Sequence, residues 1–215
     1  PVCLDRGFKE EKMFRSVMIV LAVMLLAMPA LAGDLQAGVK GGVNLATTRG
    51  DDALPEADSR LGMALGGYVS MPMTPMFSIQ PEALFTMKGF ETPDAPSSSF
   101  KINYVEIPVL AKLSLAPEAV AHPTVFLGPS LGVNISSKVS TEGVDEDVDM
   151  KDSTKSTEFG LVMGGGLDMP IGPMGKQSIG LDVRYNLGLT SIDDSGSDAN
   201  VKNGVLSILG TFRFL

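Results

Sequence analysis

The chain has 215 residues, room for one domain or two small ones, with 24 Gly, 14 Pro, 13 Met, one His and no Trp. Its formal net charge of −8 excludes a nucleic-acid surface built on basic residues. Cys3 is the only cysteine, which excludes an intrachain disulfide framework.

In chain order, the first segment is an export signal. Met13-Phe-Arg-Ser opens it, with Arg15 as its positive charge, Val17 to Met28 as its apolar run, and Ala30-Leu31-Ala32 as a small-residue cleavage site before Gly33. The run is too short for a spanning helix, and Pro29 fits cleavage better. Residues 1–12 read as translated upstream sequence, 13–32 as a signal-peptide helix, and 33–215 as the working domain. No Cys follows Ala32, so a lipid-anchored lipoprotein is not expected. Residues 33–215 hold 13 basic and 22 acidic side chains, a net of −9, and no apolar run long enough for a membrane helix.

From Leu35 on, apolar and polar residues alternate at period two, the pattern of a strand with two unlike faces. The first strand is Leu35 to Leu45, followed by a polar loop from Ala46 to Arg60. The second is Leu61 to Met71, and Pro72-Met73-Thr74-Pro75 makes a tight turn. The third, Met76 to Lys88, is followed by a loop from Glu91 to Ser99. The fourth is Tyr104 to Leu115: Val105, Ile107, Val109, Ala111, Leu113 and Leu115 lie on one face, with Tyr104, Glu106, Pro108, Leu110, Lys112 and Ser114 on the other. Ala116 to His122 connects it to the fifth, Thr124 to Ser136. Ser137 to Ser156 is the longest loop. The sixth strand is Thr157 to Met169, then a turn from Pro170 to Lys176. The seventh alternates from Ile179 to Leu189, Ser191 to Asn203 is the last loop, and Gly204 to Leu215 is the eighth strand.

This is the pattern of an all-β fold: an eight-stranded antiparallel up-and-down transmembrane β-barrel preceded by a signal-peptide helix. Long polar loops follow strands one, three, five and seven, and short Pro/Gly turns follow two, four and six, the asymmetry of bacterial outer-membrane barrels. Each strand has roughly the 9–11 residues that a tilted spanning strand needs. A lipocalin-like soluble barrel also has eight strands but needs an apolar interior. Here one face carries almost no charge and the other nearly all of it, so Val109 and Leu181 are expected to face lipid, and Glu106 and Arg184 the lumen. On this reading Leu181→Arg impairs assembly more than Arg184→Leu. An even strand number puts both termini in the periplasm.

The inward face collects Lys40, Lys88, Lys112, Arg184 and Arg213 together with Glu82, Glu106, Glu158, Asp168 and Asp182. An eight-stranded barrel is only wide enough to be filled by side chains. These ten residues are therefore expected to form a structural charge network, with Tyr68, Tyr104 and Phe126 filling further space. A narrow proton or ion path is the functional alternative.

Other motifs carry less. The acidic run Glu142 to Asp152 offers carboxylates for Ca²⁺ or Mg²⁺ but lacks EF-hand spacing, and reads first as a solvated loop. Gly164-Gly-Gly166 is not placed between a strand and a helix, so it is not a phosphate loop. His122 is expected in a periplasmic connection, across the membrane from the long loops, and a nucleophile must sit within hydrogen-bond reach of its base. No catalytic residue, cofactor or metal site is expected, and the chain is not expected to be an enzyme.

Three motifs resemble a known family: Ile79-Gln-Pro-Glu-Ala-Leu-Phe-Thr-Met-Lys-Gly89, Tyr104-Val-Glu-Ile-Pro-Val-Leu110 and Gly128-Pro-Ser-Leu-Gly132. They are similar to the PorT-like small outer-membrane barrels, whose fold is like the eight-stranded OmpX and OmpA barrels. The likeness covers nearly all of 33–215. It departs at the end, where Leu215 follows Phe214 in place of a final aromatic residue. The absence of Trp implies a thin aromatic girdle. The resemblance implies a cell outer-membrane location, outer-membrane lipid and lipopolysaccharide as surroundings, barrel assembly machinery during biogenesis, and a monomer. The function expected is a surface that presents acidic extracellular loops to an unknown partner. The alternatives are a narrow transport channel or accessory barrel of a secretion system, and a carboxylate-based outer-membrane enzyme.

Overall fold

The computed structural model describes residues 35–50, 58–92, 98–141, 148–150, 154–171, 177–192 and 201–214. The expected upstream segment and signal peptide lie outside them, as do Glu142, Asp145, Glu146, Asp147 and Asp152 of the acidic run. The described chain is all β: β1 (Gln36–Arg49), β2 (Asp58–Pro72), β3 (Phe77–Thr92), β4 (Ser98–Ser114), β5 (His122–Thr141), β6 (Val148–Asp149), β7 (Thr157–Ile171), β8 (Gln177–Gly188) and β9 (Lys202–Arg213). Every pairing is antiparallel. Eight strands form one closed ring in the order β4-β3-β2-β1-β9-β8-β7-β5, shut by β4–β5 pairing, while the two-residue β6 is added to the outer part of β5.

Closure is staggered. The ladder that starts at Asp168 runs through Gly180, Thr211, Lys40, Gly66, Leu84, Glu106 and Gly132, and returns to β7 at Glu158. One circuit of eight strands therefore comes back ten residues away, from 168 to 158. A stagger of this kind accompanies a strand tilt of roughly 35–45° and an interior just wide enough for side chains. Every residue on that circuit lies on the inner face, which is how Lys40, Glu106, Glu158 and Asp168 come to share one lumen.

Parity sets the two faces. Even-numbered residues point inward on β1 to β4, β7 and β8, odd-numbered ones on β9. The outward set is exposed and apolar, with Leu61, Met63, Leu65, Leu127, Phe159 and Leu181 each at least half exposed. Each such side chain covered by lipid removes apolar area from water at roughly 25 cal/mol/Å². The inward set is buried, and more than half of it is polar. Among the described residues the well-exposed aromatic side chains are few: Phe85, Phe159, Phe212 and Phe214.

The strands run further than the apolar alternation indicates. β1 continues to Arg49 and β2 starts at Asp58, β3 reaches Thr92, and β5 has 20 residues, from His122 to Thr141. His122 thus opens β5 instead of sitting in a connection, and Pro170 and Ile171 belong to β7. Leu189 lies past the end of β8, and Phe214 past the end of β9. The reason is physical: hydrophobic alternation reports only the lipid-facing part of a strand, while backbone pairing goes on wherever a neighbour supplies a ladder. At the far end of β5 the phase also changes. Tyr104 pairs with Asn134 and Asn103 with Ser136, leaving Ile135 unopposed, so the inward residue beyond it is Ser137. Such an extra residue bends a strand and re-aims its side chains.

At several glycines a neighbouring backbone comes too close for a Cβ, Gly89 and Gly128 among them. Gly89 has φ 130°, and a Cβ there would strike the Phe100 carbonyl oxygen across the β3–β4 ladder. A Cβ on Gly128 would strike the Val109 carbonyl oxygen.

Leu181 is half exposed in mid-barrel. Leu181→Arg should lower the stability of the folded barrel by roughly 2–4 kcal/mol, the cost of a cation on the lipid face near the midplane. Urea titration of the barrel refolded into lipid vesicles measures it, with Leu181→Val as the near-neutral control.

Candidate functional site

All ten charged residues expected in the lumen lie on the inner parity, and the structure joins nine of them into three groups. The first is a four-membered ring from β1, β3 and β8. Lys40 Nζ lies 2.6 Å from Glu82 Oε1 and 2.9 Å from Asp182 Oδ2. Arg184 Nη1 lies 2.7 Å from Glu82 Oε2, and its Nη2 lies 3.3 Å from Asp182 Oδ2. Gln80 Nε2 adds a hydrogen bond to Glu82 Oε1 at 2.7 Å. Two cations and two carboxylates balance here, and all four are almost fully buried.

The second group lies nearer the long-loop end. Lys88 Nζ donates to Glu106 Oε1 at 2.6 Å and to Glu158 Oε2 at 3.2 Å. Glu106 also accepts from Thr86 Oγ1 (3.2 Å) and from Asn186 Nδ2, and Glu158 Oε2 accepts from Asn203 Nδ2 at 2.9 Å. The third is the pair Lys112–Asp168 at 2.7 Å, near the turn end and less buried. The tenth residue, Arg213, donates Nη1 to Gln36 Oε1 at 2.8 Å.

Aromatic rings support the deeper cations. Lys40 Nζ lies 4.8 Å from the centroid of Tyr68, Lys88 Nζ 4.8 Å from that of Tyr104, and the Arg184 guanidinium 5.5 Å from that of Phe126. A desolvated cation over a ring face gains electrostatically from the ring quadrupole. Apolar side chains fill the rest: Leu110, Phe126 and Val162 form one cluster, and Ile102, Tyr104 and Ile192 another towards the loop end. Between the first two charge groups a void of about 10 Å³ is bordered by Arg184, Glu106, Leu84, Val205 and Leu209, space for at most one water.

The turn end is open. A cavity of about 370 Å³ is lined there by Tyr68, Lys112, His122, Asp168, Arg213 and Thr124, among others. His122 therefore contributes to the mouth of the lumen. Among the described residues no group of three or more His, Cys, Asp or Glu side chains is placed to hold a metal. The neutral partners Gln36, Gln80, Thr86, Asn186 and Asn203 are absent from the sequence reading of the network. Their signal is available, since each shares the inward parity of the charges, but polar amides are less conspicuous than ions.

A closed antiparallel barrel with a lipid-ready outer face and a side-chain-filled lumen defines a transmembrane β-barrel, of the kind that spans the outer membrane. The family described as "Outer membrane protein beta-barrel domain" matches residues 26–194, and the chain belongs to it. The protein is an outer-membrane β-barrel protein. No curated protein shows a significant match.

Solved structures similar to this chain include Neisserial surface protein A, with 18% identity over 83% of this chain and 97% of that one and a TM-score of 0.49. OprG from Pseudomonas aeruginosa has 13% identity over 83% and 95%, with a TM-score of 0.48. The E. coli outer membrane protein W has 12% identity over 83% and 97%, with a TM-score of 0.45. At this distance the function has to be argued from the residues of this chain.

The pairing also changes the reading of Arg184. Its loss leaves Glu82 and Asp182 to share Lys40 as their one paired cation, and breaking a buried ion pair costs about 3–5 kcal/mol. Arg184→Leu is thus comparable in cost to an arginine on the lipid face, not milder. Glu82→Gln, which leaves Lys40 and Arg184 to share Asp182 as their one paired carboxylate, should destabilise by a similar amount. The double variant Glu82→Gln/Arg184→Leu should cost less than the sum of the two single changes by at least about 1 kcal/mol. Unfolding titrations of the four proteins measure the coupling, and strict additivity would show that the ring is not one unit.

Proposed function

We propose that this protein is a non-enzymatic outer-membrane barrel whose lumen is closed by its own side chains and whose activity lies in its four longer loops. The observation that carries the reading is the buried pairing of Lys40, Glu82, Asp182 and Arg184 across the lumen. A conducting path has to break these contacts, and the second group at Lys88 lies beyond them. The connections β1–β2, β3–β4, β5–β7 and β8–β9 hold Asp51, Asp52, Glu56, Asp94, Glu142, Asp145, Glu146, Asp147, Asp152, Asp193, Asp194 and Asp198. An acidic surface of this composition repels anionic lipopolysaccharide and favours a basic or cation-bridged partner. In this reading the signal segment 13–32 is cleaved, the assembly machinery of the outer membrane inserts the barrel as a monomer, and the loops face outward from the cell.

A second reading is a narrow transport path or an accessory barrel of a secretion system, as in PorT-like proteins. It is favoured by the 370 Å³ cavity at the turn end, which reaches Lys112 and Asp168. Planar-bilayer recording separates the two. The closed-lumen reading expects no stable conductance of porin size from the purified protein, since porins use about 16–18 strands. It also expects that Lys40→Met destabilises the fold before it opens a path. Steady conductance of the wild type would favour transport.

A further inference from the structure

Positive charge is sorted by height on the barrel wall. Thirteen basic residues follow Ala32. Five of them face the lumen, and Arg60 donates Nη1 to the Lys88 carbonyl oxygen at 2.6 Å. Of the other seven, Arg49, Lys101, Lys138, Lys151, Lys155 and Lys202 fall at the long-loop end, and Lys176 alone at the turn end. One spacing recurs along the outer face towards the loops. Leu45, Thr47 and Arg49 line β1, Leu206, Gly204 and Lys202 line β9, and Val105, Asn103 and Lys101 line β4. Phe159 and Thr157 of β7 are preceded in the same rhythm by Lys155. Each of the four apolar residues is more than a third exposed, and the basic residue stands four positions beyond it. Four residues rise roughly 10 Å along a tilted strand, past the edge of the hydrocarbon and into the head-group layer.

Two cross-strand pairs stand at that level. Arg49 of β1 lies directly opposite Lys202 of β9, and Lys101 of β4 opposite Lys138 of β5. Parity puts both pairs on the outer face, Lys138 by way of the phase change at Ile135. Like charges directly opposite destabilise a ladder, and an anion shared between them removes that penalty. Arg49 lies 5.7 Å from the centroid of Tyr185 and reaches the Asn203 carbonyl oxygen at 3.5 Å, while Lys101 Nζ donates to Ser140 Oγ at 2.6 Å. Among the described residues no carboxylate forms an ion pair with Arg49, Lys101 or Lys202. Lys138 has Asp149 of β6 across from it on its other side. An acidic pair at the same height, Asp58 opposite Glu91, breaks the circle at β2 and β3. The basic arc therefore runs from β1 through β9 and β7 to β5 and β4.

We propose that this arc binds the phosphate groups of the glycolipid in the outer leaflet, with Arg49/Lys202 and Lys101/Lys138 as its two anchoring pairs. Phosphate is the anion that a barrel wall meets at this height. Its oxygens accept bidentate contacts from arginine and point-charge contacts from lysine. Tyr185 beside Arg49 supplies the amphipathic ring of an interface anchor. The acidic loops lie farther out and repel such phosphates, so the strand ends are where the lipid is held. The assignment rests on the reading that the longer loops face out of the cell, and adds to it the residues that grip the surrounding lipid.

The test uses the protein purified folded in neutral detergent, with two fluorescent probes: lipid A carrying its phosphates, and the same lipid dephosphorylated. The wild type should hold the phosphorylated probe about tenfold more tightly or better, and Arg49→Gln/Lys202→Gln and Lys101→Gln/Lys138→Gln should each lose about tenfold of that affinity. Affinity for the dephosphorylated probe should stay the same. Glu91→Gln, in the acidic gap, should not weaken either probe. Equal affinity of the wild type for the two probes overturns the site, whether or not the variants fold. An unchanged phosphate preference in both double variants overturns it too. Loss of folding stability with the preference intact also overturns it, because the bases would then serve the protein's own acidic loops. Maleimide labelling of Gly143→Cys on intact cells tests the loop direction separately. Absence of labelling contradicts the outward loops, while the measurements in detergent still decide whether the arc binds phosphate.

Discussion

The structure depends on one constraint: in hydrocarbon every backbone N–H and C=O must find a partner within the protein, because an unpaired group costs several kcal/mol. A sheet meets that demand only by closing on itself. Here the closure brings the first and last strands together, with Gly38 to Arg49 of β1 paired residue by residue to Lys202 to Arg213 of β9. Once the ring is shut, each strand has one face towards lipid and one towards a narrow interior. The outer face can then be almost uniformly apolar, and the inner face must satisfy whatever polar groups the sequence puts there.

The inner face is polar at a cost. Moving charges out of water is unfavourable, and a well-packed apolar lumen of similar volume would be as stable or more so. What the ion pairs supply is specificity. Glu82 meets Lys40 and Arg184 only if β1, β3 and β8 hold their observed stagger, and Lys88 meets both Glu106 and Glu158 only if β3, β4 and β7 do. A one-residue slip of any strand would turn its charges into lipid. The network thus favours one stagger of ten over its neighbours. The aromatic rings under Lys40, Lys88 and Arg184 serve the same end, since each holds a cation from a different strand.

Much of this was legible in the sequence, for a physical reason. Period-two alternation is the direct imprint of lipid outside and polar groups inside, so the strand number, the two faces and the inward charges at Lys40, Glu106 or Arg184 could all be read. The outer strand ends could not. Beyond the apolar belt both faces of β5 are polar, as at Ser137 and Lys138, and alternation no longer distinguishes a strand from a loop. The phase change at Ile135 is invisible for the same reason, as it depends on which residue the neighbouring strand leaves unopposed. Nor does parity say which ions pair. Lys40 and Asp182 are 142 residues apart, and only the stagger of the closed ring puts them at 2.9 Å. The division of the lumen into an open turn end and a plugged middle likewise follows from the stagger.

The central claim is that the ring has a lipid-facing and a plugged face in this phase. The most direct test is a nitroxide scan along β9 from Val205 to Phe212 in lipid bilayers, read by oxygen and by a water-soluble nickel chelate. Leu206, Ile208 and Phe212 should be open to oxygen, with Val205, Ser207, Leu209 and Thr211 shielded from both reagents. Nickel accessibility at Ser207 and Leu209 would mean a water-filled lumen, and the opposite phase would mean a barrel turned inside out; either result would contradict the account.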